Sequence, residues 1–235
     1  MSSQNRAPRL FAAAVAGYLL GSFPTSDVVA RAVARRNGGK QIDLRSAGTR
    51  NPGALNAAKV LGARWGLTVL AGDIGKGVLA SLLGRRLAGA NGAYAAGTTA
   101  VIGHCAPPWN GFRGGKGVAT SAGTSLVLFP VYAPVDVGLA ATVHAISRGR
   151  AEWSTLVASG VFVAAAAYWW ATGRKNAWGP EATAGLPLYA AITSAAIAYR
   201  FLAAPAPTRA EHAPPDYAPD AVVAERGNCS GTVNS

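Results

Sequence analysis

The chain has 235 residues, of which half are apolar and only 14% are charged, and its formal net charge is +12. The charges form clusters, and long uncharged runs rich in alanine and glycine separate them. This pattern argues against an ordinary soluble domain and is typical of a polytopic membrane protein with closely packed helices. No basic amphipathic helix or basic strand interleaved with aromatic residues is recognisable, so the positive charge indicates anionic lipids or phosphorylated substrates rather than nucleic acid.

In chain order, the hydrophobic segments predict an all-α membrane protein. The first span is expected over roughly residues 9–30, and Pro24 is the point at which it could kink. Because no convincing cleavage site follows it, this segment is not interpreted as a signal peptide. Further segments are expected at residues 60–83, 92–106, 118–147, 156–172 and 186–204. Pro130 favours two helices, 118–130 and 132–147, over one kinked span in the fourth segment.

Basic residues predict the orientation of these spans. Residues 31–59 contain seven basic side chains and one acid, so the positive-inside rule places this loop in the cytoplasm and the N-terminus outside. Counting the crossings gives about seven spans, which puts the loop at residues 107–117 and the C-terminus on the cytoplasmic side. We expect one membrane domain over residues 1–204. Residues 205–235, rich in proline, alanine and acids, are expected to form a disordered tail.

The clearest chemical signal is the glycine-rich stretch at residues 114–120. Glycines on both sides of Lys116 allow backbone N–H groups to converge, and the ammonium adds a charge that suits a phosphate. A tight turn that enters a helix, with Lys116 reaching water, is the structural alternative. The stretch does not fit a nucleotide-binding P-loop, because only three residues separate Gly111 from Gly115, and Gly117 stands where a hydroxyl should hold magnesium.

Three other features carry chemistry, each with two interpretations. Residues 43–56 are dense in turn formers and in hydroxyl and amide donors, and form either a solvated loop or part of a binding site. Asp73 and Lys76 lie three residues apart on one helix face. Since an ionisable group inside a span costs at least about 2.5 kcal/mol, they pair with each other or contact the substrate. His104 either makes a structural hydrogen bond or acts as a base.

These features occur in an order that resembles the bacterial membrane acyltransferases that transfer a fatty acyl group from acyl phosphate to glycerol 3-phosphate. Residues 43–56 are similar to the family's Ser-Gly-Asn-x-Gly-Ala-Thr-Asn region, residues 73–77 follow, and Gly103-His104 precedes the most specific motif at 114–120. The resemblance covers residues 15–130 by motif and the remainder by hydropathy. It implies a seven-helix enzyme of the bacterial inner (cell) membrane, with its motifs on the cytoplasmic side.

The chain departs from this family pattern at several positions. Thr49 replaces a serine and keeps the hydroxyl, Arg50 replaces a glycine, and Leu55 replaces a threonine. Lys59 stands where arginine is common, which keeps the charge and loses the bidentate fork. At the end of the last helix the family usually has a histidine and an asparagine three residues apart. This chain has neither, and Arg200 is the only candidate substitute.

The resemblance implies an acyltransferase that forms lysophosphatidic acid, the first step of phospholipid synthesis, without a metal or cofactor. Acyl phosphate is already activated, so the enzyme works by positioning and charge stabilisation, and a substrate phosphate takes the hydroxyl proton. The catalytic residues assigned in this way are Lys116, Thr49 and His104. The assigned substrate-binding residues are Asn51, Gly53, Asn56, Lys59, Asp73, Lys76, Arg113, Gly114, Gly115 and Gly117.

In a second hypothesis, the protein binds its ligands at the same site but does not catalyse the reaction. The missing histidine and asparagine, together with Arg50, favour a family member that has lost catalysis and binds lipid phosphates. Membrane lipids are expected partners under both hypotheses, and no protein partner is predicted.

Overall fold

The computed structural model describes residues 6–148 and 150–203, and every regular element among them is helical, as predicted. A 3-10 turn, Pro108–Asn110, accompanies the α-helices. The α-helices of the described residues are α1 (Arg6–Gly21), α2 (Thr25–Asn37), α3 (Ala54–Leu61), α4 (Ala63–Cys105), α5 (Val118–Leu128), α6 (Ala133–Ile146), α7 (Ala151–Ala171) and α8 (Gly185–Leu202). The predicted disordered tail at residues 205–235 lies outside the described residues.

Helix α4 is the centre of the fold, since α1, α3, α5 and α8 all pack against it. Its geometry breaks at Ala88 and Gly89, where φ is -144° and 65°. Beyond this break the chain reverses, so that Gly84 lies against Gly92 within one helical hairpin. The predicted segments at residues 60–83 and 92–106 are therefore the two arms of this hairpin.

The helices share two ends, which we call the motif end and the opposite end. The motif end carries residues 104–117, and the last turn of α8 meets it where Arg200 binds the backbone of Gly114. The opposite end carries the turn of the α4 hairpin and residues 172–184, which are joined by a hydrogen bond from Arg85 Nη1 to the Trp178 carbonyl at 3.0 Å. Helix α1 runs alongside the second arm of α4, so residue 6 lies at the opposite end.

Three helical stretches in the described part of the chain are long and apolar enough to cross a membrane: Ala63–Asn110, Ala151–Ala171 and Gly185–Leu202. The first of them contains both arms of the α4 hairpin. Val118–Leu128 and Ala133–Ile146 are apolar but shorter. They confirm that residues 118–147 form two helices instead of one kinked span, with Phe129, Pro130 and their neighbours between them.

The first predicted span differs from the structure. The helix expected over residues 9–30 is interrupted, because α1 ends at Gly21 and α2 begins after Pro24, which has no N–H to continue a helix. Helix α2 then extends into the basic stretch that was expected to be a loop. Arg35 and Arg36 occupy its last turn, where cations favour the helix dipole, and Gly38 ends it in the left-handed conformation.

Gly77 provides a test of the close packing between α4 and α5. A Cβ at Gly77 would overlap the Thr120 carbonyl oxygen, whereas a Cβ at Gly75 would meet open space. We expect Gly77→Ala to lower the free energy of unfolding by about 1–3 kcal/mol, because backbone atoms cannot move aside cheaply. Gly75→Ala should be neutral or stabilising by up to about 1 kcal/mol. Thermal unfolding in detergent measures both, and equal stability of the two variants would contradict this packing.

Candidate active site

An open cleft of about 250 Å³ lies at the motif end, where the break between α1 and α2 faces the ends of the α4 hairpin. Eight of its fourteen lining residues have polar side chains, which is unusual beside apolar helices and suits a charged or hydroxylated ligand. Several of its lining residues were predicted as site residues and several were not. The polar side chains that line it belong to Ser22, Thr25, Ser26, Arg45, Asp73, Lys76, His104 and Asn110.

The floor of the cleft contains a buried carboxylate shared by two bases. Asp73 Oδ1 lies 2.9 Å from Lys76 Nζ and 3.6 Å from His104 Nδ1. Lys76 Nζ also donates to the Phe23 carbonyl at 3.2 Å. The ion pair allowed by the three-residue spacing is therefore present, and both of its members line the cleft as well. Among the described residues, no cluster of three His, Cys, Asp or Glu side chains is arranged to hold a metal.

The glycine-rich stretch folds back onto the end of α4. The Gly114 N–H donates to the Cys105 carbonyl at 3.2 Å, and the Gly115 N–H donates to the His104 carbonyl at 3.1 Å. These two amides are occupied within the protein, whereas the sequence predicts that they converge on a phosphate. Gly115 instead allows the backbone to approach the Nε2 atom of the His104 ring, where a Cβ would overlap it.

The backbone amides that can face an anion lie after Lys116, at Gly117 and the start of α5. Gly117 has a φ of 88° and precedes α5, which has no side-chain cap. The first N–H groups of a helix have no partner within the helix, and the helix dipole makes this end positive. The start of α5, directly after Lys116, therefore has the properties of an anion-binding helix end.

Lys116 is positioned against the end of α8. Its Nζ atom lies 4.0 Å from the centroid of the Phe201 ring, a cation–π contact. Arg200 donates from Nη2 to the Gly114 carbonyl at 2.5 Å and from Nε to the Gly115 carbonyl at 3.2 Å. Burial lowers the pKa of the half-buried Lys116 below its ordinary value, and the nearby charge of Arg200 adds to this effect, while Glu152 opposes it.

A second ionic network, which the sequence does not predict, joins residues 43–56, which we call the first motif loop, to the rest of the motif end. Arg45 forms a bidentate pair with the buried Asp27, at 2.7 and 3.1 Å, and its Nε donates to the Arg113 carbonyl at 3.0 Å. Asn110 Nδ2 donates to the same Asp27 carboxylate at 3.0 Å. Burial is the largest single effect and works against the charge of Arg45, but the hydrogen bonds and negative charges of Asp27 and Asp43 together outweigh it and raise the pKa of Arg45. The sequence does contain a signal for this network, because Asp27 is an acid within the predicted span at residues 9–30, where an ionisable group needs a partner.

Asn56, which the sequence predicts to be a substrate-binding residue, has a structural position. Its side chain is buried, and its Oδ1 accepts the Thr49 N–H at 2.8 Å. Its Nδ2 donates to the carbonyls of Leu44 and Ala47, both at 3.0 Å. All of its hydrogen-bonding groups are therefore used to shape residues 44–49.

The other predicted site residues within residues 43–59 are not among those that line the cleft. Thr49 and Lys59 are exposed, and Asn51 is half-buried with its amide close to Gly53. Arg113 is exposed and contributes its carbonyl to Arg45. The structure thus brings Asp73, Lys76, His104 and Gly114 together at the cleft, and holds the first motif loop beside them through Arg45.

The fold and the site define a class of protein: a helical membrane protein with a cationic, phosphate-suited loop and a polar cleft at one end. The particular family follows from comparison with known proteins. The sequence model of the family described as glycerol-3-phosphate acyltransferase matches residues 11–205, and the chain belongs to this family.

Individual relatives agree with this assignment. A glycerol-3-phosphate acyltransferase of Symbiobacterium thermophilum is 42% identical over 147 residues, which are 63% of this chain and 68% of the relative. The crystal structure of PlsY (YgiH), an integral membrane glycerol 3-phosphate acyltransferase, in its glycerol 3-phosphate form is 26% identical with a TM-score of 0.66, covering 82% of this chain and 88% of that one. Its lysophosphatidic acid form is 25% identical with a TM-score of 0.61, covering 81% and 87%.

The structural assignment of Asn56 can be tested by Asn56→Leu, which keeps the volume and removes the hydrogen bonds. We expect the free energy of unfolding to fall by about 1–3 kcal/mol, because buried backbone groups lose their partner. Asn37→Leu, at an exposed position of α2, is the matched control and should be near neutral. Thermal unfolding in detergent is the measurement. If Asn56→Leu matched the control in stability and lost only substrate affinity, Asn56 would be a substrate ligand.

Proposed function

We propose that this chain transfers a fatty acyl group from acyl phosphate to a hydroxyl of glycerol 3-phosphate and thereby forms lysophosphatidic acid. Membership of the family supports the proposal, as does the likeness to PlsY forms named for glycerol 3-phosphate and lysophosphatidic acid. The observation that carries it is Lys116, a half-buried cation between a glycine-rich loop and the positive start of α5. This arrangement suits the phosphate group that both substrates carry.

The proposed reaction needs no enzymic nucleophile. The acceptor hydroxyl oxygen forms a bond to the acyl carbon, the bond between this carbon and the phosphate oxygen breaks, and inorganic phosphate leaves with the hydroxyl proton. The protein contributes by holding the two substrates together and by stabilising negative charge. In this proposal Lys116 and Lys59 bind phosphate groups, Thr49 and Asn51 orient the acceptor, and the helices accommodate the acyl chain.

For His104, the geometry favours the structural role over the role of a base. Its ring is buried between Asp73 and Gly115, and its carbonyl accepts the Gly115 N–H. In our proposal it therefore supports residues 114–117, which we call the lysine loop, while a substrate phosphate accepts the proton. Asp73 and Lys76 neutralise each other and present polar atoms to the cleft.

We further propose seven membrane crossings: α1, the two arms of α4, α5, α6, α7 and α8. This count is supported by the start of α1 at the opposite end and the end of α8 at the motif end, which require an odd number of crossings. The excess of basic residues at 31–59 then favours a cytoplasmic motif end in the bacterial inner membrane, with the N-terminus outside. The membrane domain extends over residues 1–204 in this proposal.

The activity is tested with purified protein in detergent, palmitoyl phosphate and glycerol 3-phosphate. We expect lysophosphatidic acid to form, and Lys116→Ala to reduce kcat/KM by about 100-fold or more, because a charge-stabilising group is removed. Lys175→Ala, at an exposed position of the opposite end, should retain full activity. Transfer no faster than in folded Lys116→Ala would contradict the proposal and favour a lipid-phosphate binding protein. Transfer to another polyol phosphate alone would overturn the acceptor assignment.

The lowered pKa of Lys116 predicts a pH dependence. Only the protonated ammonium attracts phosphate, so kcat/KM should fall as the pH rises through a pKa below the ordinary lysine value of about 10.4. The phosphate groups of the substrates lose their second proton at about pH 6, below the pH range measured, so this decline belongs to the enzyme. Lys116→Arg should flatten it, since a guanidinium stays charged. Background-corrected initial rates between about pH 7 and about pH 10 measure this, and an identical decline in Lys116→Arg would exclude Lys116 as its source.

A further inference from the structure

The peptide groups of Gly114 and Gly115 are bound on both sides. Their N–H groups donate to the carbonyls of Cys105 and His104 at the end of α4. Their carbonyls accept hydrogen bonds from one guanidinium, that of Arg200 near the end of α8. Residues 114 and 115 are therefore clamped between two helices that are distant in sequence, directly before Lys116.

The side chain of Lys116 is held by Phe201, the residue next to Arg200 in α8. Phe201 follows Arg200, and the Lys116 ammonium lies 4.0 Å from the centroid of its ring. Two consecutive residues at the end of α8 thus act on the lysine loop, one through its backbone and the other through the lysine side chain. Arginine suits both backbone contacts because its donors form a planar fork, whereas lysine would have to reach both carbonyls from one terminal nitrogen.

Mutual attraction does not explain this arrangement. Arg200 and Lys116 are both cations. Burial lowers the pKa of Lys116, and the nearby charge of Arg200 adds to this effect, so Arg200 disfavours the charge of Lys116. Such a convergence of positive charge is favourable once an anion is bound between or beside the two groups. The position of Arg200 is therefore consistent with placing Lys116 for an anionic ligand.

We propose that Arg200 and Phe201 are positioning residues that hold Lys116 in place for a substrate phosphate. This inference rests on the proposed function, since it assigns Lys116 to phosphate binding. It makes the last turn of α8 part of the site through the lysine loop, although neither residue lines the cleft.

The kinetic test uses Arg200→Lys and Phe201→Leu, with Arg86→Lys as the control at an exposed position near the turn of the α4 hairpin. Arg200→Lys keeps the charge and loses the fork. We expect both site variants to lower kcat/KM by about tenfold to hundredfold through misplacement of Lys116, mainly as a higher KM for a phosphate substrate. Arg86→Lys should equal the unmodified protein. Equal kcat and KM in Arg200→Lys and Arg86→Lys would overturn the fork's role.

A second test does not depend on catalysis. The rate at which an amine-specific reagent labels Lys116, followed by peptide mass spectrometry, is measured with and without inorganic phosphate. Phosphate should protect Lys116 in the unmodified protein and in Arg86→Lys, and protect it less in Arg200→Lys and Phe201→Leu. If Arg200→Lys does not fold, the milder variant Phe201→Leu is used, and the protection of its Lys116 by phosphate decides whether the positioning role holds.

The two tests separate this inference from the proposed function. Acyl transfer by the unmodified protein, with both site variants matching the control in kinetics and labelling, overturns the positioning role and leaves the function intact. Loss of phosphate protection in the variants, without acyl transfer by the unmodified protein, supports the positioning of Lys116 for phosphate and overturns the acyltransferase activity.

Discussion

The buried carboxylate of Asp73 is the interaction on which the motif end depends. An unpaired carboxylate between helices would be very costly, so its position requires partners from both arms of the α4 hairpin. Lys76 comes from its own arm and His104 from the other. His104 then receives the Gly115 N–H on its carbonyl, which connects the buried ion pair to the lysine loop. The loop's position is thus determined by an electrostatic requirement inside the bundle.

The cations at the motif end have different surroundings. These surroundings indicate that Arg45 and Lys76 have structural roles, whereas Lys116 can bind a ligand. Arg45 and Lys76 are each bound directly to a buried carboxylate, which neutralises them and ties chain segments together. Lys116 packs on an aromatic ring, next to the start of α5 and close to Arg200. A phosphate would gain most from Lys116, because Arg45 and Lys76 would have to leave their carboxylates to bind it with full charge. The glycines of the loop make this possible by allowing close contact with α4.

Much of this organisation was predictable from the sequence, for reasons that are local. The spacing of Asp73 and Lys76 places them on one helix face, and Pro130 divides residues 118–147 into two helices. The partners of distant groups were not predictable. The Asp27–Arg45 pair, the hydrogen bonds of Asn56 and the occupation of the Gly114 and Gly115 amides all depend on how segments far apart in the chain meet. A motif identifies residue types, but it does not show whether an amide faces a ligand or a neighbouring carbonyl.

The central claim is that Lys116, and not the buried Asp73–Lys76 ion pair, receives the phosphate. A structure determined with glycerol 3-phosphate bound tests this most directly. We expect a phosphate oxygen about 2.7–2.9 Å from Lys116 Nζ, as in charge-assisted hydrogen bonds, with the Asp73–Lys76 pair intact. A phosphate bound by Lys76 within the cleft, with no phosphate oxygen in contact with Lys116, would contradict the account.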